Sequence, residues 1–372
     1  LAAGRDREVA ALQAVFGRFA EAGTLPNYIN GNDASNRDTS DAPLWYGVVC
    51  EEAAAKTGME FYSTEVAKQG RTIADVLLEI ADGYACGASN GVRMDPASGL
   101  IWSPSHFTWM DTNYPAATPR EGYPVEIQAL WIRLLRQLER LQAGNYWSGR
   151  KKQPALPGGH TFGSLADKAG ESFQKLFWLE NPGWFADVLL AAPAIPAAQA
   201  VPDNALRSNA LLAVSLGIAT GERARRSVEA ARRYLVIPGA LRSLAPLPVS
   251  PPLPVRAPDG HLLNDPNNPY WGHYEGDEDT RRKPAYHNGT AWTWTFPIFC
   301  EALAAAWNYS PEAVAAARAY LGSMDQTMLQ GCVGQIPEIV DGDAPHTQRG
   351  CDAQAWGVTE ALRVWKKLSQ NA

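Results

Sequence analysis

The sequence predicts an all-α protein whose helices pair into an α/α toroid, and three observations carry that expectation. Apolar residues recur at helical spacing along most of the 372-residue chain. Period-2 runs rich in β-branched residues are scarce, so a substantial sheet is not expected. Long loops dense in Gly, Pro, Asn, Asp and Trp alternate with the helices, at 24–42, 83–123, 145–159, 236–289 and 327–349. Structureless loops longer than about 12 to 15 residues are uncommon and often functional. In an α/α toroid every second connection falls on the same rim, where such loops build a pocket. A superhelical repeat array would instead need short, regular loops, and no internal repeat is evident.

Helices are expected at 5–22, 43–57, 61–82, 124–143, 160–176, 204–217, 221–235, 290–306, 310–325 and 350–368, about ten in all. The clearest is 124–143, where Ile127, Leu130, Trp131, Leu134, Leu135, Leu138 and Leu141 follow a 3.6-residue period. In 350–368, Cys351, Ala355, Val358, Leu362, Trp365 and Leu368 do the same. The stretch 245–269 is Pro-rich and has the composition of a linker. Aromatic and charged residues resume at Tyr270-Trp-Gly-His273-Tyr274, which favours a long surface loop, an insertion over 245–270, in one catalytic domain spanning 1–372.

Net charge is −6 with no basic cluster, which argues against nucleic acid as a partner. No apolar run approaches the ~18 to 20 residues of a membrane span, and no signal peptide is evident. The chain begins Leu1-Ala2-Ala3 without Met, as a numbering that starts inside a longer gene product would. The five cysteines, Cys50, Cys86, Cys300, Cys332 and Cys351, form no CxxC pair. Neither a zinc site nor a redox motif is supported, and free core thiols in a reducing, cytoplasmic compartment are expected. No cofactor or metal is expected. The 13 Trp and 13 Tyr are high numbers. Large aromatics fill cores by default, and they also stack on the apolar faces of sugar rings.

Five loop segments carry candidate chemistry. In Thr108-Trp109-Met-Asp111, the acid lies in a loop, thirteen residues before the next helix, so it does not cap that helix. A carboxyl flanked by aromatics loses hydration and stays protonated more easily, as a general acid must; a turn aspartate bonded to backbone N–H groups is the plainer alternative. In Thr118-Pro-Arg120 and Pro124-Val-Glu126-Ile-Gln-Ala-Leu-Trp131, Pro124 suits a first helical turn, and Glu126 is either a dipole-favoured acid or a sugar-hydroxyl ligand. In Pro337-Glu338-Ile-Val-Asp341-Gly-Asp343, clustered acids repel and need a reason. Calcium is one, though EF-hand spacing is absent; a base that stays ionised to activate water is the other. Asp352, farther on, suits a cap for the last helix. The fourth segment is Tyr286-His287-Asn-Gly289-Thr-Ala-Trp292-Thr-Trp294, where Gly289 permits close backbone approach. The fifth is Asp38-Thr-Ser40-Asp41-Ala-Pro43-Leu-Trp45, where Ser40 or Asp41 suits an N-cap and Pro43 an early helical position.

Taken together, and in this order, these segments resemble the amylo-α-1,6-glucosidase family, the debranching half of glycogen debranching enzymes and its stand-alone bacterial relatives. Leu206-Arg207-Ser-Asn209 and Arg349-Gly-Cys-Asp-Ala-Gln354-Ala-Trp356 extend the resemblance over nearly the whole chain. The resemblance implies an (α/α)6 barrel and inverting hydrolysis of α-1,6-linked glucose, with Asp111 as general acid and Glu338 as general base. It also implies substrate contacts from Asp41, Trp45, Trp109, Arg120, Glu126, Arg207, Asn209, His287, Trp292, Arg349 and Gln354. The family's first barrel helix and its N-terminal β-sandwich have no counterpart in this sequence, in keeping with ten helices rather than twelve. The implied partners are an oligosaccharide or branched α-glucan substrate and an upstream 4-α-glucanotransferase.

Three other readings stay open at this level. A neutral invertase-like hydrolase of small sugars shares the Pro-Val-Glu-Ile-Gln-Ala-Leu pattern. A non-catalytic carbohydrate-binding barrel would keep the fold without the reaction. A lyase or epimerase would use His287 or Tyr286 as its base.

Overall fold

The computed structural model describes residues 1–67, 70–144, 146 and 156–371. Most of the expected 145–159 loop lies outside the described residues. The described chain forms two compact units, one of Leu1–Trp109, Arg120–Leu176 and Leu189–Ala200, the other of Met110–Pro119, Phe177–Val188 and Val201–Ala372.

The first unit holds α1 (Asp6–Gly17), α2 (Ala42–Thr57), α3 (Ile73–Cys86), α4 (Val125–Ala143) and α5 (Phe162–Leu176). Helix α4 is its spine: every apolar position picked out by spacing, from Ile127 to Leu141, is buried. Helices α2, α3 and α5 pack on it. Tyr84 of α3 stacks on Trp131 at 5.9 Å, and the Trp131 indole N–H donates to the Gly99 carbonyl at 3.1 Å. Burying each such Leu contributes ~1.5–3 kcal/mol, so packing rather than intrinsic propensity holds this helix.

The helix expected over 61–82 forms differently. A 3-10 turn, Met59–Ser63, leads into an antiparallel pair, Glu65–Ala67 with Arg71–Thr72, and α3 begins only at Ile73. A reciprocal capping box sets that start. The Thr72 hydroxyl accepts from the Asp75 amide at 3.3 Å, and the Asp75 carboxylate accepts from the Thr72 amide at 2.8 Å.

The second unit holds α6 (Ala210–Ser215), α7 (Gly221–Tyr234), α8 (Lys283–Tyr286), α9 (Thr295–Ala306), α10 (Pro311–Gly322), α11 (Met324–Met328) and α12 (Ala355–Gln370). Helix α9 is buried along its length, and α6, α7, α10 and α12 pack on it. Its one acid, Glu301, accepts from Arg363 at 2.6 Å and from Lys367, both on α12. Short α8 and α11 were not expected. The helix expected over 204–217 shortens to α6, because the backbones of Asn204 and Leu206 bond to Ser250 and Ala245 instead. Residues 245–269 are therefore a packed loop rather than a linker: Ala205, Leu244 and Val249 form a small core, with Leu253 and Tyr270 against it.

Five very short antiparallel strands lie side by side in chain order: β1 (Val236–Ile237), β2 (Ala240–Arg242), β3 (Ala291–Trp292), β4 (Ile339–Val340) and β5 (Gln348–Arg349). Trp292 pairs with Leu241 on one side and Ile339 on the other, and Ile339 pairs with Arg349. These strands displace the starts of two expected helices, so α9 begins at Thr295 and α12 at Ala355. Gln354, not Asp352, caps α12, accepting from the Ala355 amide at 3.1 Å.

All five cysteines are free. Cys50 and Cys300 are the buried thiols expected; Cys86, Cys332 and Cys351 are exposed.

Candidate active site

Two clusters collect the expected residues, one inside each unit. In the first unit, Ser40 ties the start of α2 to the 103–107 loop: its amide donates to the Phe107 carbonyl at 2.6 Å, and its hydroxyl accepts from Ser103 at 2.9 Å. Asp41 follows at the N-cap position of α2 but makes no capping bond, and Pro43 sits in the first turn. The Asp41 carboxylate accepts from the Thr39 hydroxyl at 2.7 Å. Burial pushes its pKa up to about 6, with the charge of Glu126 adding to the rise and the Thr39 bond opposing it. Glu126 is 1% exposed and locked to Arg120 by paired bonds of 2.5 and 2.7 Å. Arg120 also donates to the Thr108 hydroxyl at 2.9 Å. Pro124 proves to be the N-cap of α4 rather than a first-turn residue. The main partner of Glu126 is thus a guanidinium, although its place in the first turn suits the helix dipole too. Arg120 and Glu126 are therefore a buried ion pair whose charge Asp41 feels, while Asp41, Trp45 and Trp109 are partly exposed.

In the second unit, Glu338 precedes β4. One of its carboxylate oxygens accepts from the Tyr286 hydroxyl at 2.9 Å, the other from the Cys351 amide at 3.1 Å. The Gln354 side-chain amide lies 3.5 Å from the first oxygen. Gly350 makes this possible: it has φ +67°, and a Cβ there would lie 2.4 Å from the Glu338 carboxylate. Tyr286 ends α8, with its ring 4.7 Å from both His287 and Trp292 and 5.2 Å from Tyr274. Burial pushes the Tyr286 phenol pKa far up, and the charges of Glu338 and Asp111 push it further. Both candidate carboxylates therefore act on one phenol.

Asp111 stands 3.8 Å from the His287 ring nitrogen, beyond hydrogen-bond distance. Its side chain is 64% exposed, so the dehydration expected of it is not present. His287 itself is fully buried and stacks on Trp292, their planes 10° apart. Gly289 has the close approach its sequence suggested: a Cβ would lie 2.4 Å from the Trp271 carbonyl oxygen.

Arg207 and Asn209 are buried supports. Arg207 donates to the carbonyls of Ser243 and His287 and to the Asn288 side chain. Asn209 donates to Asp187 at 2.8 Å and to the Met110 sulfur at 3.3 Å. Arg207 holds the backbone at His287, and Asn209 holds the side chain of Met110, the residue before Asp111. Arg349 spans Asp341, with contacts of 3.0–3.2 Å, and Glu275 at 3.3 Å. That pairing is the reason the acids near Glu338 tolerate one another. Among the described residues, no group of three or more His, Cys, Asp or Glu side chains could hold a metal ion, and no helix is long and apolar enough to cross a membrane.

Sequence reasoning quoted Tyr286 without choosing it as a site residue, and it missed the Cys351 amide. The tyrosine was legible, since a Tyr beside His287 at a helix end is the one hydroxyl in that segment besides two threonines. The amide was not, because a backbone donor carries no residue-type signal.

Among curated proteins, none matches the chain at a significant level. Many solved structures share its fold, three of them as follows. A GH78 family rhamnosidase of a Bacillus species is 16% identical, with a TM-score of 0.59; the match covers 97% of this chain and 30% of that one. An uncharacterized conserved protein from Thermus thermophilus is 14% identical, with a TM-score of 0.60, covering 96% and 92%. A GH63 mannosylglycerate hydrolase from Thermus thermophilus, solved in complex with glucose, is 14% identical, with a TM-score of 0.61, covering 98% and 89%. The helical fold they share with this chain is consistent with an (α/α)6-like barrel. A family model described as amylo-alpha-1,6-glucosidase matches residues 1–250 and 256–363, passing over only five residues of the Pro-rich loop before the C-terminal end. By that match the chain belongs to the amylo-alpha-1,6-glucosidase family, and so to the glycoside hydrolases.

Proposed function

We propose that the chain hydrolyses α-1,6-linked glucose with inversion, as in debranching a glycogen limit dextrin or cleaving a short α-glucoside. Asp111 protonates the leaving oxygen, and Glu338 takes a proton from the attacking water. The observation that carries the reading is the setting of Glu338, whose carboxylate accepts one neutral donor on each oxygen. A carboxylate offers about four lone-pair sites, so two bonds leave it capacity to accept from water. Asp111 stands 3.8 Å from the His287 ring nitrogen and is exposed enough to meet a glycosidic oxygen.

The aromatic surface of His287 and Trp292 suits a sugar ring, as do Trp45 and Trp109 in their own unit. Gln354 supplies a hydroxyl ligand in this reading. Arg207 acts from behind by holding the backbone, and Asn209 and Arg349 by holding neighbouring side chains. The five unpaired thiols support a reducing compartment, the cytoplasm in our proposal. A glucosidase acting on single-glucose stubs takes its substrate from a 4-α-glucanotransferase.

NMR of the first-formed product from isomaltose or a limit dextrin tests the reading. β-Glucose appearing first supports inversion; α-glucose first refutes it. A substrate smaller than a branched glucan is the second reading, favoured by the fold shared with a mannosylglycerate hydrolase. A panel of α-glucosides, sucrose and limit dextrin separates the two.

A further inference from the structure

We propose that Tyr286 is the positioning residue of the general base, fixing the Glu338 carboxylate through its hydroxyl rather than binding the sugar; this rests on the reading of Glu338 as base. The Tyr286 hydroxyl donates to the Glu338 carboxylate at 2.9 Å, and the Cys351 amide donates to the other oxygen at 3.1 Å. Two donors on opposite oxygens fix the plane of a carboxylate. One would leave it free to rotate about its terminal bond, which is a soft torsion. A base must present a set lone pair to the attacking water, so its rotation matters to the reaction.

Tyr286 is suited to the task because it cannot itself move. Its ring is wedged between Tyr274, His287 and Trp292, with centroids 4.7 to 5.2 Å away. The Trp292 indole N–H donates to the Tyr286 carbonyl at 2.9 Å, closing a loop from side chain back to backbone. Trp292 is in turn paired across the sheet with Ile339, the residue after Glu338. The base and its donor are thus registered to each other by main-chain bonds as well as by the hydroxyl. The phenol stays protonated throughout, since burial and two nearby carboxylates disfavour a phenolate. It therefore donates at every pH at which the enzyme is folded, and it takes no proton of its own.

The other groups that face Glu338 leave this role to Tyr286. Tyr274 feels the Glu338 charge, but its ring packs on Tyr286. Gln354 stands at 3.5 Å, the outer limit of a hydrogen bond. The Cys351 thiol donates to the Ala353 carbonyl instead. Arg349, on the neighbouring strand, is taken up by Asp341 and Glu275.

The test is Tyr286→Phe, which keeps the ring and removes the hydroxyl, compared with wild type and Glu338→Gln. The first measurement needs no substrate. Carbon-13 NMR of the glutamate side chains, with the Glu338 signal identified by its loss in Glu338→Gln, follows that carboxylate at neutral pH. Removing the hydroxyl should shift the Glu338 carboxylate signal and leave the other glutamate signals in place. An unmoved signal in a variant with unchanged melting overturns the proposal. The second measurement is hydrolysis of isomaltose. We expect Tyr286→Phe to lose roughly tenfold in kcat with KM little changed. A raised KM with wild-type kcat would make Tyr286 a sugar contact and overturn the positioning role. Full activity in Glu338→Gln would instead remove the base reading, whatever Tyr286→Phe does.

Discussion

Gly350→Ala tests how the base is held, through a backbone change rather than a loss of function in the carboxylate itself. Gly350 has φ +67°, and its built Cβ meets the Glu338 carboxylate at 2.4 Å, Ile339 Cγ1 at 2.9 Å and Glu338 Cβ at 3.3 Å. Two costs add. Alanine in a left-handed backbone loses ~1–2 kcal/mol, enough to lower the melting temperature by about 1–3 °C in a protein of this size. The carboxylate must also move by about 1 Å to reach ordinary contact, away from the Cys351 amide that bonds it at 3.1 Å. A misplacement of that order costs about 100-fold in rate. Gly334→Ala separates the two, because Gly334, in the segment that leads to Glu338, has φ +82° with nothing within 4 Å of its built Cβ. Both variants should lose similar stability in calorimetry, and only Gly350→Ala should lose kcat/KM on isomaltose, by roughly two orders of magnitude. If both variants keep wild-type kcat/KM while melting lower, the idea that residues 350 and 351 set the position of the base is wrong.

Two acids should show opposite pH signatures. Burial raises the Glu301 pKa, but Arg363 and Lys367 outweigh it, leaving the carboxyl below its usual range. A depressed pKa stabilises the fold above the unfolded value and is lost as pH falls through the folded one. The melting advantage of wild type over Glu301→Gln should thus be full at neutral pH, about 2–3 kcal/mol given two partly exposed partners, and shrink below about pH 4. Asp41, raised to about 6, runs the other way. Its ionised form is disfavoured in the fold, so wild type should gain stability relative to Asp41→Asn as pH falls from 7 to 5; a flat difference over that window would refute the buried, raised carboxyl. Arg120→Met strands Glu126 as an uncompensated buried charge and should lower the urea-unfolding free energy by ~3–5 kcal/mol, part of which Glu126→Gln on the same background should restore.

The parts legible in the sequence were those where one signal spoke over many residues. The α4 stripe from Ile127 to Leu141 runs four turns, and all of it is buried. The expected helix over 61–82 failed because apolar spacing ran through Gly70, which turns the chain at φ +70°. The Thr72-x-x-Asp75 box, a true start signal, was visible and outranked it. The sheet was illegible in principle, since strands of two or three residues are too short to show alternation. At the site, residue types led to Asp111 and Glu338, but not to what surrounds them. Asp111 looked dehydrated beside Trp109 and is exposed. Glu338 looked crowded by acids, yet Asp341 is answered by Arg349 and the Glu338 oxygens by a phenol and an amide. These pairings join residues 52 and 13 positions from Glu338, beyond the reach of a local pattern.

The pairing of β3 with β4 has a consequence for motion. Residues 286–292 and 338–340 are separated in the chain by α9, α10 and α11, yet they share main-chain bonds; the Thr293 amide adds another to the Glu338 carbonyl, and the Thr293 hydroxyl donates to the carbonyls of Pro337 and Glu338. Neither segment has regular structure of its own longer than two residues beside the site. The base and the aromatic wall beside it therefore open as a single unit when the sheet frays. Their amides should exchange with solvent at one common rate, set by the seam, while the three intervening helices keep rates of their own.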